Sequence, residues 1–278
     1  MAVEMSGVVS AAMRELRTQP VEWRVRALFR DTPVVDTDAA RLVWEPRRVV
    51  SAYAVPVADI AGRLVPSGPD GGRVDPDASA LPPVLSPRNP FSDHTTPGTA
   101  YDIETDAGTL AAAAFTPDDP DLTGYAVLDW EAFTTWFEED QEAVGHPREP
   151  HHRVRCLPSS RHVVVSVGGE VVADTRRPVL LVETGLPPRW YLPREDVRMD
   201  LLTRSDTRTT CAYKGHASYW STTAGGTELP DIAWSYPDPR HDADEVRDLI
   251  CFYVEHTDTV VDGQPLGRPV TEWSRSRT

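Results

Sequence analysis

The segment Cys211–Ser221 (CAYKGHASYWS) gathers three aromatic side chains, a histidine, two serines and a lysine around one glycine. Lys214 is the only lysine in the chain; every other member of the 28 Lys and Arg residues is arginine. The two cations are not interchangeable. Arginine is a planar fork that stays charged, whereas lysine is a compact point charge that can lose its proton on desolvation and then act as a nucleophile, or bind a phosphate while protonated. Gly215 beside it allows close backbone approach. The plain alternative is a lysine in a solvated turn.

Two further stretches supply chemistry. In Asp231–Tyr236 (DIAWSY) a strand places Asp231, Ala233 and Ser235 on one face and Ile232, Trp234 and Tyr236 on the other. Trp234 is then either core or a flat ligand platform. Glu183 ends an otherwise apolar run, so it is exposed at the strand end or held by a cation such as Arg189 or Lys214. A buried Glu–Lys pair would shift both titrations, as functional sites often do. The candidate catalytic residues are therefore Lys214 and Glu183. The candidate ligand-binding residues are Tyr213, Gly215, His216, Ser218, Tyr219, Trp220, Asp231, Trp234 and Arg189. Such a set suits a small planar anion, for example a nucleotide. No glycine-rich phosphate loop and no nucleophile–base–acid spacing accompanies it, so no reaction type follows. The competing expectation is a non-enzymatic binding or scaffold module whose aromatics are core and whose acidic exterior meets a basic partner.

These residues need strands to position them. Arg161–Val167 is a β-branched run, Gly168-Gly169 a tight turn and Glu170–Asp174 the return, which together read as a hairpin. Val179–Glu183, Arg189–Leu192, Thr207–Tyr213, Ala217–Thr222, Asp231–Tyr236 and Thr259–Asp262 read as further strands. Val246, Leu249, Ile250, Tyr253 and Val254 carry helical spacing, with Asp242 and Asp244 at the start, and predict one amphipathic helix. Asp129–Ala143, with Trp130, Phe133 and Phe137, predicts a second. The fold class expected is mainly β (α+β), tent-like or barrel-like, with mostly antiparallel strands and one helix per domain.

The sequence also matches itself. Val34–Ile60 lies over Val171–Val197: Asp36 meets Asp174 and Glu45 meets Glu183, then after a one-residue slip Tyr53 meets Trp190, Pro56 meets Pro193 and Asp59 meets Asp196. Ala114–Pro120 lies over Ala233–Pro239. The reading is two tandem copies of one domain. Residues 1–23 form an extension, 24–145 a divergent first copy with a long, partly mobile loop at 63–97, 146–152 a linker, 153–270 the second copy and 271–278 a tail. In the first copy no lysine is present, Ala112 stands for Asp231, Phe115 for Trp234 and Tyr101 for Tyr219, while Glu45 is kept. Either the first copy has lost the site, or His94, Glu45 and Trp44 form a different one.

Bulk properties narrow the classes. Net charge is −15, with 43 acidic against 28 basic residues. That repels a phosphate backbone, and no basic patch offsets it, so nucleic acid is not expected as a partner. Arg47-Arg48 and Arg176-Arg177 read as solvated strand-end pairs. No apolar run approaches the roughly 20 residues of a membrane span, and Met1–Arg17 does not resemble a signal peptide. The three cysteines, with no C-x-x-C pair, argue against a disulfide framework and a structural zinc. His146, His151 and His152 lie in a Pro-containing segment that reads as solvated linker rather than a metal site. A cytoplasmic location is expected. No cofactor is indicated, and the oligomeric state is left open.

On VVADTRRPVLLVETGLPPRWYLPREDV, CAYKGHASYWS, DIAWSYPDP and the closing VDG, residues 153–270 resemble the domain of unknown function 427 family. Residues 24–145 look like a divergent copy, as in two-domain actinobacterial members. The resemblance implies a β-rich tent-like barrel related to zinc-binding Mss4-like domains; the paired cysteines of such zinc sites are missing, so no metal carries over. A nucleotidyltransferase label is sometimes attached to the family. The family motif falls on Tyr213, Lys214, Gly215, Ser218, Tyr219, Trp220 and Trp234, with Ala212 where proline is typical.

Overall fold

The computed structural model describes residues 2–68, 70–77, 79–226, 228–271 and 274. Most of the expected tail thus lies outside the described residues. The chain divides into two compact units, Met1–Glu149 and Pro150–Thr278.

In the first unit a short helix, α1 (Met5–Ala12), precedes twelve strands: β1 (Arg17–Pro20), β2 (Val25–Phe29), β3 (Thr32–Thr37), β4 (Arg41–Trp44), β5 (Ala52–Pro56), β6 (Arg63–Pro66), β7 (Arg73–Val74), β8 (Gly98–Thr105), β9 (Gly108–Pro117), β10 (Tyr125–Leu128), β11 (Thr135–Glu138) and β12 (Gln141–Ala143). One antiparallel sheet runs β1-β4-β5-β10-β9-β8-β6, with β7 beside β8; a second runs β12-β11-β2-β3. The second unit has β13 (Val154–Pro158), β14 (Val163–Val167), β15 (Glu170–Thr175), β16 (Val179–Glu183), β17 (Arg189–Leu192), β18 (Leu202–Cys211), β19 (Gly215–Thr222), β20 (Leu229–Ser235), β21 (Ile250–Phe252), β22 (Asp258–Val261) and β23 (Gln264–Pro265). Its sheets run β13-β16-β17-β21-β20-β19-β18 and β15-β14-β22-β23. With β7 set aside, the strand order of one unit is that of the other. The fold is mainly β, built from several antiparallel sheets, and among the described residues none closes into a barrel.

Sequence pattern explains the layers. β14 buries Val163, Val165 and Val167 and leaves Val164 and Ser166 half-covered, the alternation of a strand with one face inward. β17 is buried at all four positions, as a central strand covered on both faces must be. β18 reads LTRSDTRTTC and is largely exposed; its polar residues blunt a sheet edge. Both units also carry the same small devices. Thr37 Oγ1 donates to Asp59 and Thr175 Oγ1 to Asp196, each at 2.6 Å, and each hydroxyl accepts a backbone N–H two residues on. Ala112 (φ 47°) and Asp231 (φ 51°) each kink a strand in the left-handed region, their N–H groups donated to Asp102 and Ser221.

Both predicted amphipathic helices are absent. Val246 closes a 3-10 turn (His241–Val246), Asp248 takes φ 59°, and Ile250–Phe252 is strand β21. Ile250, Cys251 and Phe252 are buried in succession, which a one-faced helix cannot do but a central strand can. In Asp129–Ala143, Trp130–Ala132 is a 3-10 turn and β11 and β12 pair around Glu139 at φ 52°. Apolar spacing of three and four arose there from turns between short strands. Residues 17–20 are not extension but strand β1, paired with β4. The expected loop at 63–97 contains β6 and β7, and Arg48 ties its far end down by donating to the carbonyls of Pro90, Phe91 and Asp93 at 2.8–3.0 Å. Arg48 is thus a loop anchor rather than a solvated charge. Among the described residues no helix is long and apolar enough to cross a membrane.

Candidate functional site

The turn joining β18 to β19 runs inward. Hairpin tips normally face water, yet Ala212, Tyr213 and Lys214 are 1%, 4% and 7% exposed. Gly215 makes this possible. Its φ is +93°, and a Cβ there would stand 3.2 Å from the Asp238 carbonyl oxygen, so the segment 238–240 packs directly on the backbone. Arg240 N–H donates to the Lys214 carbonyl at 3.2 Å and pins the turn.

Lys214 Nζ donates to Glu183 Oε2. The carboxylate's other oxygen, Oε1, lies 2.9 Å from His152 Nε2, and the His152 ring stacks on Tyr213 with centroids 4.3 Å apart. A cation, an anion and an imidazole thus form one chain of contacts, covered by the Tyr213 ring. Glu183 lies at the end of β16 opposite Val154 in the register, which brings the start of β13 and His152 against it.

Burial pushes the Glu183 carboxyl up, but the His152 hydrogen bond and the Lys214 charge outweigh it and hold the group below the usual carboxylate range. Burial acts against the Lys214 ammonium; neighbouring Cys211 and Glu183 outweigh it and hold the amine above its ordinary value. The pair is therefore ionised at neutral pH. Lys214 is a fixed buried cation, not a free amine ready to attack a carbonyl. Around it, burial pushes the Tyr191 and Tyr236 phenols far up, with Glu183 among the charges that add to the rise, so both remain neutral. Burial also raises the Cys156 thiol to about 11.

The sequence-predicted residues divide. Lys214, Glu183, Tyr213 and Gly215 come together. Tyr219 and Trp234 sit opposite each other in the β19–β20 register. Trp234 is 7% exposed, donates Nε1–H to Tyr191 Oη at 3.0 Å and packs on Tyr253 at 4.5 Å. Tyr219 Oη bonds Thr209 at 2.8 Å. Arg189 does not reach Glu183; it makes a buried bidentate pair with Glu255 at 2.7 Å and lies over the Trp234 and Tyr253 rings. Trp220 is buried under Arg194. Ser218 is buried opposite Ser235, while His216 is exposed beside Thr210. Asp231 accepts from Thr207 at the strand kink.

His152 was missed. Among the linker histidines it read as solvated, because β13 has no clear period-2 pattern to announce that residue 152 precedes a strand paired with Glu183. His146, from the same cluster, turns to the Pro147 carbonyl instead. Among the described residues no group of three or more His, Cys, Asp or Glu converges as metal ligands do.

The first unit handles its matching carboxylate differently. Glu45 is 3% exposed. Its Oε1 meets His94 Nδ1 at 2.8 Å, and its Oε2 accepts from Thr95 N–H at 2.7 Å, Thr96 N–H at 3.2 Å and Thr96 Oγ1 at 3.1 Å. Burial opposes the charge on Glu45, and the His94 and Thr95 hydrogen bonds outweigh it, so this carboxyl too is held below its ordinary value. His94 is sandwiched by Phe115, stacked at 3.6 Å, and Phe91, edge-on at 5.0 Å. Tyr101 pairs with Ala114 in the register and Trp220 with Ala233, so Tyr101 takes the place of Trp220, not of Tyr219.

Comparison with known proteins agrees with the resemblance over the second unit. No curated protein matches the chain. Residues 155–263, which carry Glu183, Lys214 and Trp234, match the model of a family described as Domain of unknown function (DUF427).

Proposed function

We propose that the second unit binds a small anionic molecule at Lys214, with Glu183 and His152 as the groups that hold and release the ammonium. The observation that carries this is a charged residue buried in a hairpin tip. Taking an ion pair out of water is expensive, and a hydrophobic replacement of similar volume is often as stable or more so. The first unit supports the same reading by contrast: its carboxylate is satisfied by backbone N–H groups and an imidazole, with no ammonium. The fold can therefore close around that carboxylate without a lysine. The side chain of His152 is 21% exposed, against 9% for Lys214 and 6% for Glu183, which makes the imidazole the member of the trio most open to solvent. An entering anion would displace His152 from Glu183 Oε1 and pair with Lys214 Nζ in competition with Glu183 Oε2. Tyr213 is the flat wall nearest that entry, and a nucleotide-like ligand fits a ring wall beside a cation. A catalytic role would fall to the same three groups.

We further propose that the first unit is a diverged tandem copy. The support is the common strand order, the matching Thr–Asp contacts and the paired strand kinks.

Calorimetric titration of the full chain with adenosine monophosphate and with inorganic phosphate tests the site. The proposal expects binding that Lys214→Met abolishes and His152→Ala alters. Unchanged affinity in Lys214→Met would remove the site and leave the acidic exterior, net −15, as the surface to probe with basic partners.

A further inference from the structure

Three features set the first unit apart from the second: helix α1 and the long segment between β6 and β8, which have no counterpart in the shared strand order, and the residue two positions beyond the buried glutamate, which differs in type. All three meet at one place. A cleft of about 750 Å³ lies between them, in the size range of small-molecule sites. Met13, Pro46, Leu81 and Val84 give it apolar walls, and Arg14 and Arg47 bring two guanidinium-bearing side chains to it.

Arg47 is the informative residue. In the second unit the residue two beyond Glu183 is Gly185, at φ +74°, the conformation glycine adopts freely. The first unit keeps this backbone, φ +69°, yet places an arginine there. An L side chain rarely takes that conformation, and such strain gathers at ligand clamps. The local backbone holds it: Arg47 N–H donates to the Met13 carbonyl at 2.7 Å, and its own carbonyl accepts from Leu85 N–H at 2.9 Å. One residue thereby joins the end of α1 to the far wall of the cleft, and Nη1, 3.3 Å from the Leu81 carbonyl, leans on that wall.

We propose that this cleft binds an amphipathic anion, a carboxylate or phosphate monoester on an apolar chain, with Arg14 and Arg47 on the head group and Met13, Leu81 and Val84 along the chain. Guanidinium groups pair bidentately with carboxylate or phosphate oxygens in a way a single point charge does not. On a chain of net charge −15, two arginines in an apolar-walled cleft select for charge at one end of the ligand only. Thr95 also lines the cleft, and its backbone N–H holds Glu45. The ligand would thus lie one residue from the Glu45–His94 pair.

The test is calorimetric titration of the full chain with octanoate and octyl phosphate, against 1-octanol and inorganic phosphate. The proposal expects at least one amphipathic anion to bind about tenfold or more tightly than either control. Arg47→Gly, which restores the residue that suits this backbone, should weaken it by about tenfold while leaving Tm unchanged or higher. Arg14→Gln should weaken it similarly. Octanol binding as tightly as octanoate, no measurable binding of either anion, or full affinity retained in both arginine variants would overturn the assignment.

Discussion

Glu45 directly follows β4 and Glu183 closes the matching strand β16; both are buried and held ionised, yet they are neutralised by different means. The first unit surrounds its carboxylate with donors that are part of the scaffold: two backbone N–H groups, a threonine hydroxyl and an imidazole clamped between two phenylalanines. The second uses a lysine carried inward on a turn and a half-open histidine. The lesson is that a buried charge at this point belongs to the fold, while the way it is compensated is free to vary. The first arrangement includes two backbone N–H donors, whereas the second is made of side chains alone.

The largest expected effect separates the two solutions. Lys214→Met leaves Glu183 buried beside His152 alone and should destabilise the second unit by about 3–5 kcal/mol, measured by denaturant unfolding. Adding Glu183→Gln should restore most of it, because the uncompensated charge is gone. If Lys214→Met is neutral, the ion pair does not matter and the contrast fails. Next come the histidines. His94→Ala removes a ring packed between Phe91 and Phe115 and should cost about 2–4 kcal/mol. His152→Ala, with Lys214 still in place, should cost about 1 kcal/mol. Equal losses would place His152 in the core rather than at an entrance.

Dependence on pH sharpens the comparison with a smaller effect. A carboxyl whose folded pKa is depressed contributes stability above its unfolded value, near 4.5, and that contribution is lost as pH falls through the folded pKa. Both units should therefore weaken in acid, each less so in its Glu→Gln variant. An amine whose folded pKa is raised contributes stability below its unfolded value, near 10.5, and loses it as pH rises through the folded pKa. Only the second unit has a lysine, so only there should part of the alkaline loss vanish in Lys214→Met. The Tyr191 and Tyr236 phenols, buried neutral, supply alkaline loss that this substitution leaves in place. Tm against pH for wild type and variants reads both limbs.

Much of this was legible in the residues. β16 and β17 fall where apolar runs bounded by a carboxylate and a proline place them, and of the alternatives open for Glu183 (exposed, or held by Arg189 or Lys214) the fold selects Lys214. The helices were not legible, because Val246, Leu249, Ile250, Tyr253 and Val254 carry helical spacing while the left-handed Asp248 and the pairing of β21 with β17 and β20 decide otherwise. Tertiary pairing overrides local periodicity there. His152 was hidden because its role depends on the register of β13 against β16, a long-range fact that no local pattern encodes. Trp234 and Arg189 suggest site groups by residue type, but the contacts that absorb them, Tyr191 and Glu255, lie far away in sequence.

Because the chain has a single lysine, ¹⁵Nζ-lysine labelling reports one side-chain ammonium signal, that of Lys214. A pH titration of this signal by NMR addresses the buried pair directly. A buried ion pair gives a protected, slowly exchanging ammonium that titrates above 10.5 and moves down in Glu183→Gln. A fast-exchanging resonance titrating at or below that value, and indifferent to Glu183→Gln, would contradict it.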